Sequence, residues 1–350
     1  MVTARLLPLL LLLPCAALGF EAASLYGNGG EACSARDSDA LYCCQHFWSH
    51  RTGVFGDLLV LHPTGVDFAH AIQQNGAGGA GTVPLGRVGV VDPDYKTGFR
   101  TGLTYAIDPC SSITATYSLY QNHATNSLLA NGALGDTVRS LVLHPGTTTA
   151  ASTSTLLSAE YDIDYETFDI DYSRLWSGSE DHALNYDLGV RYAQLNQHFA
   201  QLGNFAPAIG SVHTTSNVNF DGIGLRAGVD GRRRIGCGGW ATYGRSFLNV
   251  LFGEFRSEYS QFNRTTQTTQ ALSYWNDERV VPVLEYELGL SWTSCCGEGN
   301  WRISAGYYTA FWFNIISSAE HVQAVQNAVF TGAHETVAFD GLVTRIEYLW

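Results

Sequence analysis

The chain has 350 residues, 45% of them hydrophobic, with 32 acidic against 19 basic side chains and a formal charge of −13. A surplus of that sign excludes binding through nucleic-acid phosphates, which requires a basic face. Beyond the first nineteen residues no apolar run approaches the roughly 18 of a membrane helix, so a membrane crossing would have to be made by strands.

At the N-terminus, Arg5 precedes an apolar run from Leu6 to Leu13, and Ala17-Leu18-Gly19 suits a small-x-small cleavage site. This predicts a secretory signal over 1–19 and a mature start near Phe20. Pro14 before Cys15 fits a lipoprotein signal poorly. Residues 20–54 carry Cys33, Cys43 and Cys44 and read as a periplasmic segment, with a barrel expected over 55–350.

Ten segments then alternate apolar and polar residues with a period of two, the mark of a strand with two unlike faces. In chain order they lie near Phe55–Leu61, Phe99–Ile107, Ile113–Gln121, Tyr161–Tyr172, Leu184–Tyr192, Ile223–Val229, Trp240–Phe255, Pro282–Trp292, Trp301–Ile315 and Val337–Trp350. In the fourth, the apolar parity slips between Tyr161, Ile163, Tyr165 and Phe168, Ile170, Tyr172, which predicts a β-bulge near Glu166-Thr167. The links after the second, fourth, sixth and eighth strands are tight, and the others are long and rich in Thr, Ser, Asn and Gly. Strict short–long alternation is the pattern of an antiparallel transmembrane β-barrel with periplasmic turns and outer loops. The expectation is therefore an all-β barrel of about ten strands, twelve if a long loop adds a pair, with both chain ends periplasmic.

Trp176, Trp240, Trp292, Trp301 and Trp350 all fall near strand ends on the short-turn side, as an interfacial aromatic girdle requires. Tyr348 and Trp350 close an alternating strand and read as the signal recognised by the barrel assembly machinery. Charged residues within membrane strands must face the lumen. That assigns Asp162, Asp164, Asp169, Asp171, Arg174, Asp187, Arg191, Arg226, Asp230, Glu285, Glu287, Arg302, Arg345 and Glu347 to a pore lining. Carboxylates outnumber arginines in that set, which predicts cation preference.

Seven cysteines remain after the signal (Cys33, Cys43, Cys44, Cys110, Cys237, Cys295 and Cys296), all on the short-turn side. Disulfides are permitted there, and an odd count leaves at least one thiol over. No metal spacing is present. Gly76-Ala77-Gly78-Gly79-Ala80-Gly81 spells a dinucleotide motif, but Pro84 follows and no helix does, so it reads as a loop. No serine elbow or His/Asp constellation points to catalysis, and neither an enzyme nor a cofactor is expected.

Phe168-Asp169-Ile170-Asp171-Tyr172, Val190-Arg191-Tyr192-Ala193, Asp221 to Gly228, Arg279 to Glu285 and Phe339-Asp340-Gly341-Leu342 resemble the Legionella-type pore-forming major outer-membrane protein family. The resemblance covers most of the chain after Phe55. It implies a bacterial outer-membrane barrel, lipid as its surroundings, and porin-like passage of small solutes or ions. The alternative is a non-conducting structural or adhesin-like barrel acting through its outer loops. Homo-oligomerisation is left open.

Overall fold

The computed structural model describes residues 47–350 apart from 79–80, 131–135, 151, 206–208, 237 and 297–298. The signal segment, Cys33, Cys43, Cys44 and Cys237 lie outside the described residues, as do the side chains of Cys295 and Cys296. Cys110 carries a free, exposed thiol.

Among the described residues, thirteen strands and one helix follow in chain order. They are β1 (Gly53–Thr64), β2 (Phe68–Gln74), β3 (Pro84–Val91), β4 (Lys96–Asp108), β5 (Ser111–Leu129), β6 (Thr137–Ser140) and β7 (Ser154–Gly178). Then come β8 (His182–Phe205), β9 (Gly210–Ile235), β10 (Trp240–Asn263), β11 (Thr268–Cys296), β12 (Gly299–Ile315), α1 (Ser318–Asn327) and β13 (Glu335–Leu349). Ten strands pair in a closed antiparallel ring, β1-β4-β5-β7-β8-β9-β10-β11-β12-β13 and back to β1. They are the ten segments with period-two patterning. β2, β3 and β6 stand outside the ring as a small sheet joined to β7, so the extra strands add no staves to the barrel. No described helix is long and apolar enough to cross a membrane.

A membrane strand needs about 9–11 residues, yet β7 to β11 run from 24 to 29. The surplus continues the barrel beyond the bilayer on the long-loop side, and the polarity of both faces changes where it does so. Toward the short turns, Leu58, Leu103, Ile170, Leu188, Leu225, Leu290, Ile303 and Ile346 are exposed on the outer face and form the lipid belt. The five tryptophans picked out above are exposed beside it, with Trp176 at 69%. Tyr348 packs between Trp301 and Trp350, and the Trp350 amide donates to Thr52 O at 2.9 Å, tying the last residue to the start of β1.

Above the belt the pattern inverts. Phe168, Tyr192, Ile223, Phe252 and Val280 are the last outward apolar row across β7 to β11, and Glu166, Gln194, Asp221, Glu254 and Glu278 form the next. Inside this upper section, here termed the crown, Tyr120, Tyr161, Tyr165, Phe199, Phe220, Phe255, Tyr259, Trp312 and Phe339 are buried. They make one continuous apolar core with aliphatic neighbours. At ten strands a barrel is only slightly wider than the eight-stranded kind that side chains fill. Large aromatics suffice to fill this one.

This inversion corrects the expected bulge. β7 pairs without a break through Glu166↔Gln194 and Thr167↔Ala193, and its register shifts occur only at Ser154/Leu157 and Leu175/Ser177. Tyr161, Ile163 and Tyr165 face the crown core, whereas Phe168 and Ile170 face lipid. The apolar residues change parity because the apolar environment changes sides.

α1 folds into the crown. Ser317 caps it by accepting from the Glu320 amide, and Ala328 ends it in the left-handed conformation at φ 52°. Gln197 clamps its first turn, donating to Ile316 O at 2.9 Å and accepting from the Ser318 amide at 3.1 Å. His321, fully buried, contacts Ser216 Oγ through Nδ1 at 3.0 Å.

Two links expected to be long, 206–209 and 264–267, have only four residues each, because β8 to β11 continue past the lipid belt. The belt lies at the end of the ring that carries links 109–110, 179–181, 236–239 and 297–298, the end expected to be periplasmic. A maleimide reagent that does not cross the membrane is therefore expected to label a Gln267→Cys variant on intact cells and to miss native Cys110. Labelling of Cys110 alone would reverse the barrel.

Candidate functional site

Between the short turns and the crown the lumen holds a polar chamber enclosing about 190 Å³. Tyr165, Tyr308 and Trp312 line it on the crown side, and Phe47, Trp48, His50 and Arg51 line it near the short turns. Its walls follow from strand alternation: on each stave the residues opposite the lipid belt point inward, and here they are charged.

Of the fourteen residues assigned to a pore lining, eleven meet in this chamber: Asp169, Asp171, Asp187, Arg191, Arg226, Asp230, Glu285, Glu287, Arg302, Arg345 and Glu347. Three do not. Asp162 sits on the outer face of the crown, paired with His123 Nδ1 at 2.5 Å. Asp164 shares that outward parity, and Arg174 is exposed beside the short turns. The assignment of Asp162 and Asp164 relied on the bulge that β7 lacks.

Sequence reasoning missed Arg51, Arg100, Arg232 and Arg245, which also line the chamber, and Asp57 behind it. The signal was available, since Asp57 and Arg100 stand opposite each other in the β1–β4 register, but register is invisible before pairing is known. With them, eight arginines face eight carboxylates. The chamber is electroneutral, and the acidic surplus expected of it disappears.

Almost every charge is paired. Arg191 donates through Nε and Nη2 to the two oxygens of Asp169, both at 2.6 Å, and through Nη1 to Glu285 at 2.7 Å. Arg226 donates to Glu285 at 2.5 Å and to Asp171 at 3.2 Å, with its guanidinium 3.7 Å from the Phe247 ring centre. Arg100 bridges Asp57 and Glu287 at 2.5 and 2.6 Å. Arg345 reaches Asp57 at 2.7 Å, Arg245 reaches Asp230 at 2.7 Å, and Arg302 reaches Glu347 at 2.9 Å. Tyr308 Oη donates to Glu285 at 2.8 Å. Paired forks of this kind cross-brace the staves and fix side-chain positions.

Among the described residues no group of His, Cys, Asp and Glu is placed to hold a metal. Residues 47–52, just before β1, are anchored by His50, whose Nδ1 meets Ser112 Oγ at 2.8 Å and whose Nε2 meets Asn185 Oδ1 at 3.2 Å.

A family model described as the Legionella pneumophila major outer membrane protein precursor matches residues 50–350. No curated protein matches the chain. Among solved structures it is similar to the outer membrane protease OmpT from Escherichia coli, at 8% identity and TM-score 0.43, over 85% of this chain and 96% of that one. A Pseudomonas aeruginosa FadL homologue gives 8% identity and TM-score 0.25 over 86% and 90% of the two chains. The TodX monoaromatic hydrocarbon channel gives 6% and 0.29 over 89% and 92%.

Proposed function

The chain belongs to the Legionella major outer membrane protein family, and from that premise we propose a barrel of the bacterial outer membrane that is shut at rest and serves as a structural, surface-presenting element. One observation carries this reading: the crown is filled from wall to wall by buried aromatic side chains and by α1. An aqueous path would have to pass through that apolar core, where water finds too few hydrogen-bonding partners. No catalytic role is part of the proposal.

Porin-like diffusion of small solutes or ions is the second reading, favoured by the charged chamber beneath the crown. It requires the aromatic core and α1 to move aside. The residues that would then meet a solute are the eleven chamber residues already predicted, together with Arg51, Arg100, Arg232 and Arg245. Tyr348 and Trp350 keep their proposed part in assembly, presented on the outer face beside the short turns.

Conductance of the refolded chain in planar bilayers separates the two readings. The expected result at neutral pH is an absence of discrete conductance steps. Steady steps would overturn the closed reading in favour of the porin-like one. The balance of eight arginines against eight carboxylates then sets a further expectation, a reversal potential near zero in a salt gradient, because selectivity follows the net field of the lining.

A further inference from the structure

The inward faces of several staves stay buried right up to the short turns. Ser112, Ala183, Asn300 and Leu349 are the inward residues nearest that end on β5, β8, β12 and β13, and they are only 2% to 8% exposed. The rim of an open cylinder would leave such residues in water. What covers them is the chain just before β1, whose residues Phe47, Trp48, Ser49, His50 and Arg51 lie against the chamber.

Taken in order, these residues touch staves all round the ring. Phe47 lies under the Arg234 guanidinium of β9, 5.0 Å from its ring centre. Trp48 packs on Gly178 at the end of β7 so closely that a Cβ added to that glycine would lie 2.8 Å from the indole. His50 is held between Ser112 of β5 and Asn185 of β8, and its amide donates to Pro109 O at 2.8 Å. Arg51 reaches the side-chain amide of Asn300 on β12. Thr52 Oγ1 accepts from the Ala106 amide of β4 at 3.2 Å, and its carbonyl accepts from the Trp350 amide. In the ring of ten, β9 stands five staves from β1 in either direction, directly opposite it. The chain from Phe47 to Gly53 therefore crosses the mouth from wall to wall, a path that six residues can span, reaching about 20 Å when extended.

We propose that residues 47–52 form a releasable strap that shuts the short-turn mouth of the barrel. Its attachment differs from that of the wall. The staves are joined by continuous backbone ladders and braced by ion pairs, whereas the strap adds no strand to the sheet and is held by separate hydrogen bonds and ring contacts. A segment held in this way opens locally while the core around it stays folded. Its release admits water and small solutes to the chamber from this end. The inference goes beyond the closed reading of the barrel, which rests on the crown at the opposite end.

A thiol placed in the chamber tests it. Thr116, opposite Asp169 in the β5–β7 register, lines the chamber deeper than Ser112. A Thr116→Cys variant of the refolded full chain is treated with aminoethyl methanethiosulfonate. Tandem mass spectrometry locates the adduct, and exposed Cys110 is the internal standard. With the native strap, position 116 is expected to react far more slowly than Cys110. Adding His50→Ala removes both side-chain hydrogen bonds of the latch and is expected to speed the reaction at position 116 at least about tenfold. Trp48→Ala, which loosens the contact with Gly178, is the second variant should His50→Ala fail to fold, and heat-dependent gel mobility reports folding for each. Reaction at the rate of Cys110 with the strap intact overturns the proposal, as does unchanged protection in the folded variants. Conductance of the same variants keeps the two ends apart: a reactive thiol without conductance steps upholds both strap and crown. Steps that appear only once the strap is released uphold the strap and overturn the closed crown.

Discussion

Replacing Arg191 with alanine is expected to destabilise the folded barrel by about 3–5 kcal/mol, the cost of leaving buried carboxylates without their partner. Arg191 is 3% exposed and holds Asp169 and Glu285 at once. Its removal leaves Asp169 with only the distant guanidinium of Arg226, at 3.9 Å. Urea unfolding in liposomes, followed by gel mobility, reads the change. Arg256→Ala is the control: that side chain pairs with Asp221 on the outer face, where it is 55% exposed, and such pairs contribute about 0–1 kcal/mol. Similar losses for the two variants would refute the view that the chamber network braces the staves.

Acid should loosen the crown before it unfolds the ring. Burial pushes the His321 imidazole down to about 4, and its Nε2 has no partner. The folded crown therefore favours the neutral ring over the ordinary value near 6.5. The docking of α1 is fully stable above about pH 6.5 and weakens as pH falls from there to about 4, by roughly 3 kcal/mol in all. Trp275 stacks on the imidazole, and the Arg279 guanidinium stands over that same indole at 5.6 Å from its centre, a poor setting for a second cation. Glu320, raised by burial, acts in the opposite direction, so the comparison must be made against His321→Leu at each pH. Hydrogen exchange of α1 amides, corrected for intrinsic rates, is expected to accelerate in acid in the wild type and much less in the variant. Equal acceleration in both would place the acid-sensitive group elsewhere.

The staves of the barrel were legible in the sequence because alternation reports a two-sided environment directly. All ten ring strands carry it, and the four tight links mark their turns. What the pattern hides is a change of environment along one strand. In β7 the residues Tyr161, Ile163 and Tyr165 are apolar because they fill a core, and Phe168 and Ile170 because they meet lipid. Two apolar surroundings on opposite faces imitate a bulge. The same confusion sent Asp162 and Asp164 to the lumen. α1 was missed for a different reason: Ser317 and Glu320 form a capping pair, but ten residues inside a long polar link give little periodic signal, and the helix is stabilised by Gln197 and the crown around it. The arginines that neutralise the chamber are ordinary strand residues until pairing brings them opposite their carboxylates.

The row Glu166, Asp221, Glu254 and Glu278, stacked directly above Phe168, Ile223, Phe252 and Val280, has a mechanical consequence. A long smooth cylinder could slide along the membrane normal, because each stave offers more length than the bilayer needs. Sinking by two residues, about 7 Å, would carry this whole collar into hydrocarbon, and each charged group costs up to a few kcal/mol there, according to depth. Rising by the same distance would lift Trp176, Trp240 and Trp301 out of the headgroups. The collar and the tryptophans together act as a depth stop, holding the crown at a set height above the cell surface.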